Sequence, residues 1–214
     1  MIAVDWGTSS LRLYRMADDG QVRERRRSDQ GVLACAGRFG DVLAQEIAGW
    51  DDTDILLCGM VGGRGGWYEM PYLSCPAGNH ALALGMQRFH PPGFDGRALW
   101  LVPGLRDSDS DSVPDVMRGE ETQLAALLDA LPGGTHVVCL PGTHSKWVTV
   151  RDGQVHEIQL QVLDAQRQQL IEAVIANHFH ERAPGGGCNN GFFARLVDDC
   201  DIRHECWSSE LDAI

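Results

Sequence analysis

Positive charge is scarce in this sequence: 18 Lys and Arg stand against 30 Asp and Glu, a formal net charge of -12 over 214 residues. A field of that sign repels phosphate backbones and anionic lipid, which argues against nucleic-acid binding or membrane-surface attachment as the main role. A few Arg and Lys side chains gathered in a cleft can still hold a small phosphate or carboxylate. Also missing is a basic leader with an apolar stretch behind it at Met1-Ile2-Ala3-Val4-Asp5, so no secretory signal is expected. No apolar run reaches membrane-spanning length. The seven cysteines are odd in number and scattered from Cys35 to Cys206, which fits reduced thiols in a cytoplasm better than a disulfide framework. Cys58 and Cys139 each close an apolar run and read as small buried hydrophobes. His178, His180, Cys188, Cys200, His204 and Cys206 offer zinc-ligand types without C-x-x-C or H-x-x-x-H spacing, so no zinc site is expected.

What is present is enough apolar surface for a packed core, 43% of residues, in one large domain or two small ones. Ile2 to Val4 is a short apolar run, and after a Gly7-Thr8 turn Leu11 and Leu13 alternate with Arg12 and Tyr14, which predicts a hairpin. Asp18-Asp19-Gly20 supplies the next turn and residues 21–25 a third strand. Val42, Leu43, Ile47 and Trp50 recur from Phe39 at the spacing of one helical face. A buried strand at 55–58, a helix at about 79–89 and a strand at 98–102 follow. Asp and Ser then dominate 106–114, the mark of a linker or domain boundary. Beyond it a helix from about Glu120 and a strand at 136–140 are expected.

The chain then repeats itself. GTSSLRLYRMADDGQVRE from Gly7 is matched by GTHSKWVTVRDGQVHE from Gly142, which suggests two domains related by duplication. A Gly-Thr hairpin turn offers backbone N–H groups and hydroxyls in a concave nest suited to phosphate, and two such turns facing one another could grip a triphosphate. Gly7, Thr8 and Ser9 in the first copy and Gly142, Thr143 and His144 in the second are the candidate nucleotide contacts. Asp5, at the end of the first strand, is the candidate Mg2+ ligand, since Mg2+ takes one or two carboxylates plus substrate phosphates. Arg12 and Lys146, one after each turn, face the phosphates or stand as exposed strand residues.

Asp5 to Arg12 is similar to the first phosphate motif of the sugar-kinase, hexokinase, heat-shock-protein and actin superfamily, and Leu140 to Trp147 resembles its second. VDWGTSSLR, CGMVGGRGGWYEMPYLSCPAG, VPGL with PDVMRGEETQ, and LPGTHSKW together resemble the 2-dehydro-3-deoxygalactonokinases, over about the first three quarters of the chain. The resemblance implies an α/β, actin-like ATPase (ribonuclease H-like) fold with duplicated domains. It also implies ATP and Mg2+, and transfer of the ATP γ-phosphate to a hydroxyl of a 2-keto-3-deoxy sugar acid. The base that takes the hydroxyl proton is implied at Glu120 or Glu121, with the spacing to Gly142 favouring Glu121; one of the pair serves as a helix cap. Arg64 is the candidate for the substrate carboxylate, or a solvated loop arginine, and Trp67, Glu69 and Tyr72 line the acid's pocket or pack its loop.

These readings divide the chain into a first actin-like domain at 1–107, the start of a second at 108–158, and a tail at 159–214 that departs from the family. The tail reads as the product of a frame change or truncation. It leaves the second domain incomplete and the 214-residue product with little or no kinase activity. Two other readings stand beside the sugar-acid kinase: an inactive relative that binds a ligand or partner, and a kinase of another sugar. The expected partners are small molecules, with no nucleic acid and no membrane; a homodimer stays open.

Overall fold

Ile2, Val4 and Trp6 are buried and Ala3 and Asp5 between them half-buried, the period of two of a strand with one face on a core; Ile2–Trp6 is β1. The structure, a computed structural model, describes residues 1–107, 114–140, 144–162 and 206–207. β2 (Leu11–Met16) returns antiparallel to β1 and β3 (Val22–Ser28) antiparallel to β2. A one-turn helix that the sequence pattern did not signal, α1 (Val32–Cys35), precedes α2 (Phe39–Glu46). α2 buries Phe39, Val42 and Leu43 along one face, and Ile47 and Trp50 continue it. β4 (Asp54–Cys58) then runs parallel to β1, followed by a 3-10 turn at Met60–Gly62, β5 (Leu73–Ser74) and α3 (Asn79–Gly85).

The helix expected to reach Phe89 stops at Gly85. Leu73 and Pro103 pack so closely there that a Cβ on Gly85 would come within 2.9 and 3.0 Å of them. The next residues form β6 (Gln87–Phe89), antiparallel to β7 (Ala98–Leu101), which is parallel to β4. The sheet order β3-β2-β1-β4-β7-β6 thus joins an antiparallel three-stranded meander to two parallel strands. That is the α/β arrangement of the ribonuclease H-like, actin-like ATPase class. Its core is Trp6, Leu11, Leu13, Leu43, Ile55, Leu57, Leu99 and Leu101, all fully buried.

β8 (Leu105–Arg106) and β9 (Val116–Met117) pair with β5 in the order β5-β8-β9, and α4 (Glu120–Leu128) follows. The repeat then appears as β10 (Thr135–Leu140), β11 (His144–Arg151) and β12 (Gln154–Val162), antiparallel in the order β12-β11-β10. Asp152 and Gly153, at φ 48° and 75°, make the two-residue turn whose twist suits a tight hairpin.

By contacts the chain forms two units. The first holds Met1–Leu73, His80–Leu105 and Met117–Thr122; the second holds Ser74–Asn79, Arg106–Val116 and Gln123–Ile214. Of the divergent tail, the described residues are Gln159 to Val162, which extend β12, and β13 (Cys206–Trp207), which pairs antiparallel with Val137 and Val138 of β10. The rest of the tail, with the apolar stripe and all the zinc-type residues except Cys206, lies outside the described residues. No described helix is long and apolar enough to cross a membrane. Cys35, Cys58, Cys75 and Cys139 are free, buried thiols.

Candidate active site

Three chain segments of the first unit meet at the ends of the parallel strands. Asp5 lies directly opposite Arg12 in the β1–β2 ladder, so their side chains share a face, and Arg12 Nη1 donates to Asp5 Oδ2 at 2.6 Å. Gly59, just past β4, has φ 89°, and a Cβ there would come within 2.8 Å of the Trp6 carbonyl oxygen and 3.4 Å of Asp5 Oδ1. Gly119, just before α4, has φ 108°, and its Cβ would come within 3.3 Å of Gly59 Cα. Two glycines in the left-handed region thus bring the head of α4 to the strand ends. The Asp5 side chain is 22% exposed. Its carboxyl is held above the usual value by desolvation, which outweighs the attraction of Arg12, and the charge of Glu120 adds to the rise.

The two glutamates at the head of α4 have different surroundings. Glu120 is half-buried, and its Oε2 accepts the Arg118 backbone N–H at 3.1 Å. Glu121 has no exposed surface. Its Oε2 accepts the Gly119 N–H at 2.6 Å and its Oε1 the Thr122 hydroxyl at 3.3 Å. Burial pushes its pKa up to about 8, with the Glu120 charge adding to the rise and the N–H bonds opposing it. Cys58 lies near both carboxylates; burial first, then Asp5 and Glu121, push its thiol well up, so it is the inert buried residue expected.

The first hairpin turn is seated by main chain. Gly7 N–H donates to the Ser10 carbonyl, and the Gly7 and Thr8 carbonyls accept from Val32 and Leu33 at the start of α1. Gly31 permits this approach, because a Cβ there would meet Thr8 and Ser9 backbone at 2.4 Å. Thr8 and Ser9 stay exposed at the tip. In the second copy Gly142 and Thr143 lie outside the described residues, His144 begins β11, and half-buried Lys146 lies opposite Leu140.

The loop after β4 separates the residues expected to line the acid's pocket. Trp67, half-buried, packs against the core, with its ring 5.2 to 6.3 Å from those of Trp6, Phe39, Phe89 and Phe94. Arg64 and Glu69 are exposed. Tyr72 lies under the guanidinium of Arg118, whose carbon is 4.2 Å from the ring centroid. Arg118 stands immediately before the Gly-Glu-Glu of the motif, a position that carries no sequence signal of a role. Its burial depends on Gly62 and Gly63, and nothing in the spacing of the motif announces that.

A sequence profile described as 2-keto-3-deoxy-galactonokinase matches residues 5–163. The chain belongs to this family. The 2-keto-3-deoxy-galactonokinase match spans Asp5, the loop after β4, the head of α4 and the second hairpin. "Probable 2-dehydro-3-deoxygalactonokinase DgoK1" of Rhizobium meliloti (strain 1021) is 44% identical over 158 residues, 72% of this chain and 50% of that protein. The 2-dehydro-3-deoxygalactonokinase of Escherichia coli (strain K12) is 35% identical over 161 residues, 74% of this chain and 52% of that one. The chain therefore spans about half the length of these curated relatives. A crystal structure from Sinorhizobium meliloti that carries the same kinase name superposes with a TM-score of 0.69 at 35% identity, covering 92% of this chain and 65% of that one.

Proposed function

We propose that this chain serves transfer of the ATP γ-phosphoryl group to a hydroxyl of a 2-keto-3-deoxy sugar acid, 2-dehydro-3-deoxy-D-galactonate, in galactonate catabolism in the cytoplasm. The observation that carries the reading is the meeting of Asp5 with the Glu120–Glu121 pair at the strand ends, in a chain of this family. Phosphoryl transfer needs charge neutralisation, positioning and a group to take the hydroxyl proton. Among the described residues no group of three His, Cys, Asp or Glu could hold a metal alone. Asp5 fits Mg2+, which keeps several waters and takes one or two carboxylates with the substrate phosphates. Bound there, Mg2+ would neutralise developing phosphate charge. The exposed Thr8–Ser9 tip and, in the second copy, residues 142–144 and Lys146 are the nucleotide contacts in this reading.

We assign the proton-accepting role to Glu120. It keeps exposed surface and its charge is felt at Asp5, whereas Glu121 is enclosed and holds the helix head. The acceptor oxygen then forms its bond to the γ-phosphorus as the bond to ADP breaks, and the hydroxyl proton passes to Glu120. The test is ADP release by the chain with ATP, Mg2+ and the sugar acid. Release in step with the sugar acid, reduced roughly 10²- to 10⁴-fold in kcat by Glu120→Gln, supports the reading. The same loss in Glu121→Gln alone moves the role to Glu121. Binding of the acid without ADP release favours the inactive relative, and release with another sugar instead of this acid overturns the substrate.

A further inference from the structure

Arg118 is a buried cation that meets no anion among the described residues. The residue is 8% exposed, and of its five side-chain N–H donors one is used among the described residues, from Nη2 to the Met70 carbonyl at 2.7 Å. Among the described residues Nε and Nη1 have no hydrogen-bond partner. One face of the guanidinium lies on Tyr72 at 4.2 Å. A lysine in such a place could shed its proton, but an arginine stays charged, so the fold holds a permanent positive charge with open donors. Buried polar groups are nearly always paired, and a buried ion without a counter-ion is destabilising.

The surroundings are arranged around this group. A Cβ on Gly62 would come within 3.2 Å of Arg118 Nη1, and one on Gly63 within 3.5 Å of its Cδ, so the glycine pair is what gives the guanidinium room. The residue is also rooted at the catalytic helix: its own N–H donates to Glu120, and the next N–H, of Gly119, donates to Glu121. A ligand anion on Arg118 would therefore be held by a residue whose main chain is fixed to the head of α4.

We propose that Arg118, and not the exposed Arg64, takes the carboxylate of the acceptor and so selects sugar acids over neutral sugars. The inference rests on the sugar-acid reading above. Tyr72 holds the plane of the guanidinium, Met70 fixes one of its amino groups, and the remaining donors meet the two carboxylate oxygens, the fork geometry that suits arginine. The residue acts on which acceptor is bound, and leaves the transferred phosphoryl group to other side chains.

The test uses the full chain as wild type, Arg118→Met and Arg118→Lys, with calorimetric binding and thermal melts against three probes: 2-dehydro-3-deoxy-D-galactonate, pyruvate as its 2-keto-acid head, and neutral 2-deoxy-D-galactose. Met keeps the stem and removes an unpaired charge, so its melt without ligand is expected to match or exceed wild type. The sugar acid is expected to bind wild type about 10- to 100-fold more tightly than Arg118→Met, with Arg118→Lys recovering part of the loss. The neutral sugar should not discriminate between the three proteins. Equal binding of the sugar acid by wild type and Arg118→Met overturns the inference and leaves the kinase reading standing. Arg118-dependent binding of pyruvate without binding of the sugar acid supports the role of Arg118 and overturns the substrate. No Arg118-dependent binding of either carboxylate overturns the inference, whatever the ADP assay shows.

Discussion

The two units bury different kinds of residue. Among the described residues, the charged side chains with almost no exposure, Arg118 and Glu121, both belong to the first unit, where Asp5 is also largely shielded. Among the described residues the second unit contributes one buried polar side chain, the hydroxyl of Ser145, in a set otherwise made of Cys75, Ala77, Leu124, Leu128, Val138, Cys139, Leu140, Val148, Val150, Val155 and Ile158. The hairpins show the same contrast at one position: counted from the glycine of each turn, Asp5 of the first copy corresponds to Leu140 of the second. Both hairpins fold, so the buried carboxylate is not needed to make one. An ionisable group kept in a core at the expense of stability is a candidate for use, and among the described residues the two such groups lie in the first unit.

The largest test of this contrast is Glu121. In the unfolded chain a glutamate titrates near 4.3, and in the fold Glu121 titrates at about 8. Between these values the unfolded state has released a proton that the folded state still holds, so stability falls as pH rises through this window, by about 1.4 kcal/mol per pH unit. Glu121→Gln keeps an oxygen for the Gly119 N–H and removes the titration. Its melting temperature relative to wild type should therefore climb from pH 5 to pH 8, with a gain of about 4 kcal/mol at the upper end. A difference independent of pH would mean that Glu121 is ionised in the fold.

A second comparison pairs the two hairpins. Asp5→Asn should lower Mg2+-dependent turnover roughly 10²- to 10³-fold, the scale of one lost electrostatic contact to the reacting charge, and leave the melt nearly unchanged. Leu140→Ala should do the reverse, with a loss of about 2–5 kcal/mol in stability because it opens a cavity in a packed sheet. If Asp5→Asn melts early and Leu140→Ala does not, the contrast between the copies is wrong.

The smallest expected effect is at the outer turns. Gly20 and Gly153 both have positive φ, 80° and 75°, and neither would place a Cβ against a side chain, so alanine at either should lose about 1 kcal/mol, and by similar amounts. Urea unfolding of the two variants measures this, and a large inequality would show that the two turns are not equivalent supports.

Much of this was legible in the sequence. The alternation of Ile2, Val4 and Trp6, the stripe from Phe39 to Trp50 and the duplicated Gly-Thr and Asp-Gly turns locate β1, α2 and both hairpins, because each is a local pattern with a period. Asp5 and the Glu120–Glu121 pair were legible from their motifs. α1 was not, since one turn carries no period, and neither was the end of α3, which is set by the packing of Gly85 against Leu73 and Pro103. The different fates of Glu120 and Glu121 depend on which carboxylate the strand ends enclose. The same holds for Trp67, whose motif leaves it open between lining the pocket and packing the loop, and which sits in an aromatic cluster built from four other segments. Arg118 has no local signal for a similar reason: its neighbours Gly62, Met70 and Tyr72 are about 50 residues away in the chain.

The first unit is not one stretch of chain, and this sets a timetable for its synthesis. Residues 1–105 include all six strands of the sheet, so that much can collapse as it leaves the ribosome, N-terminal part first. Met117–Thr122, which brings Arg118 and Glu121, belongs to the same unit but is made only after the chain has passed through Arg106–Val116 of the other. A nascent chain stalled near residue 105 would thus have a sheet and no finished site, with the glycine turn of Gly62 and Gly63 and the gap beside Gly59 still waiting for their neighbours. Any library that cuts this protein between 105 and 117 would separate the scaffold from the arginine and the carboxyl group that it encloses.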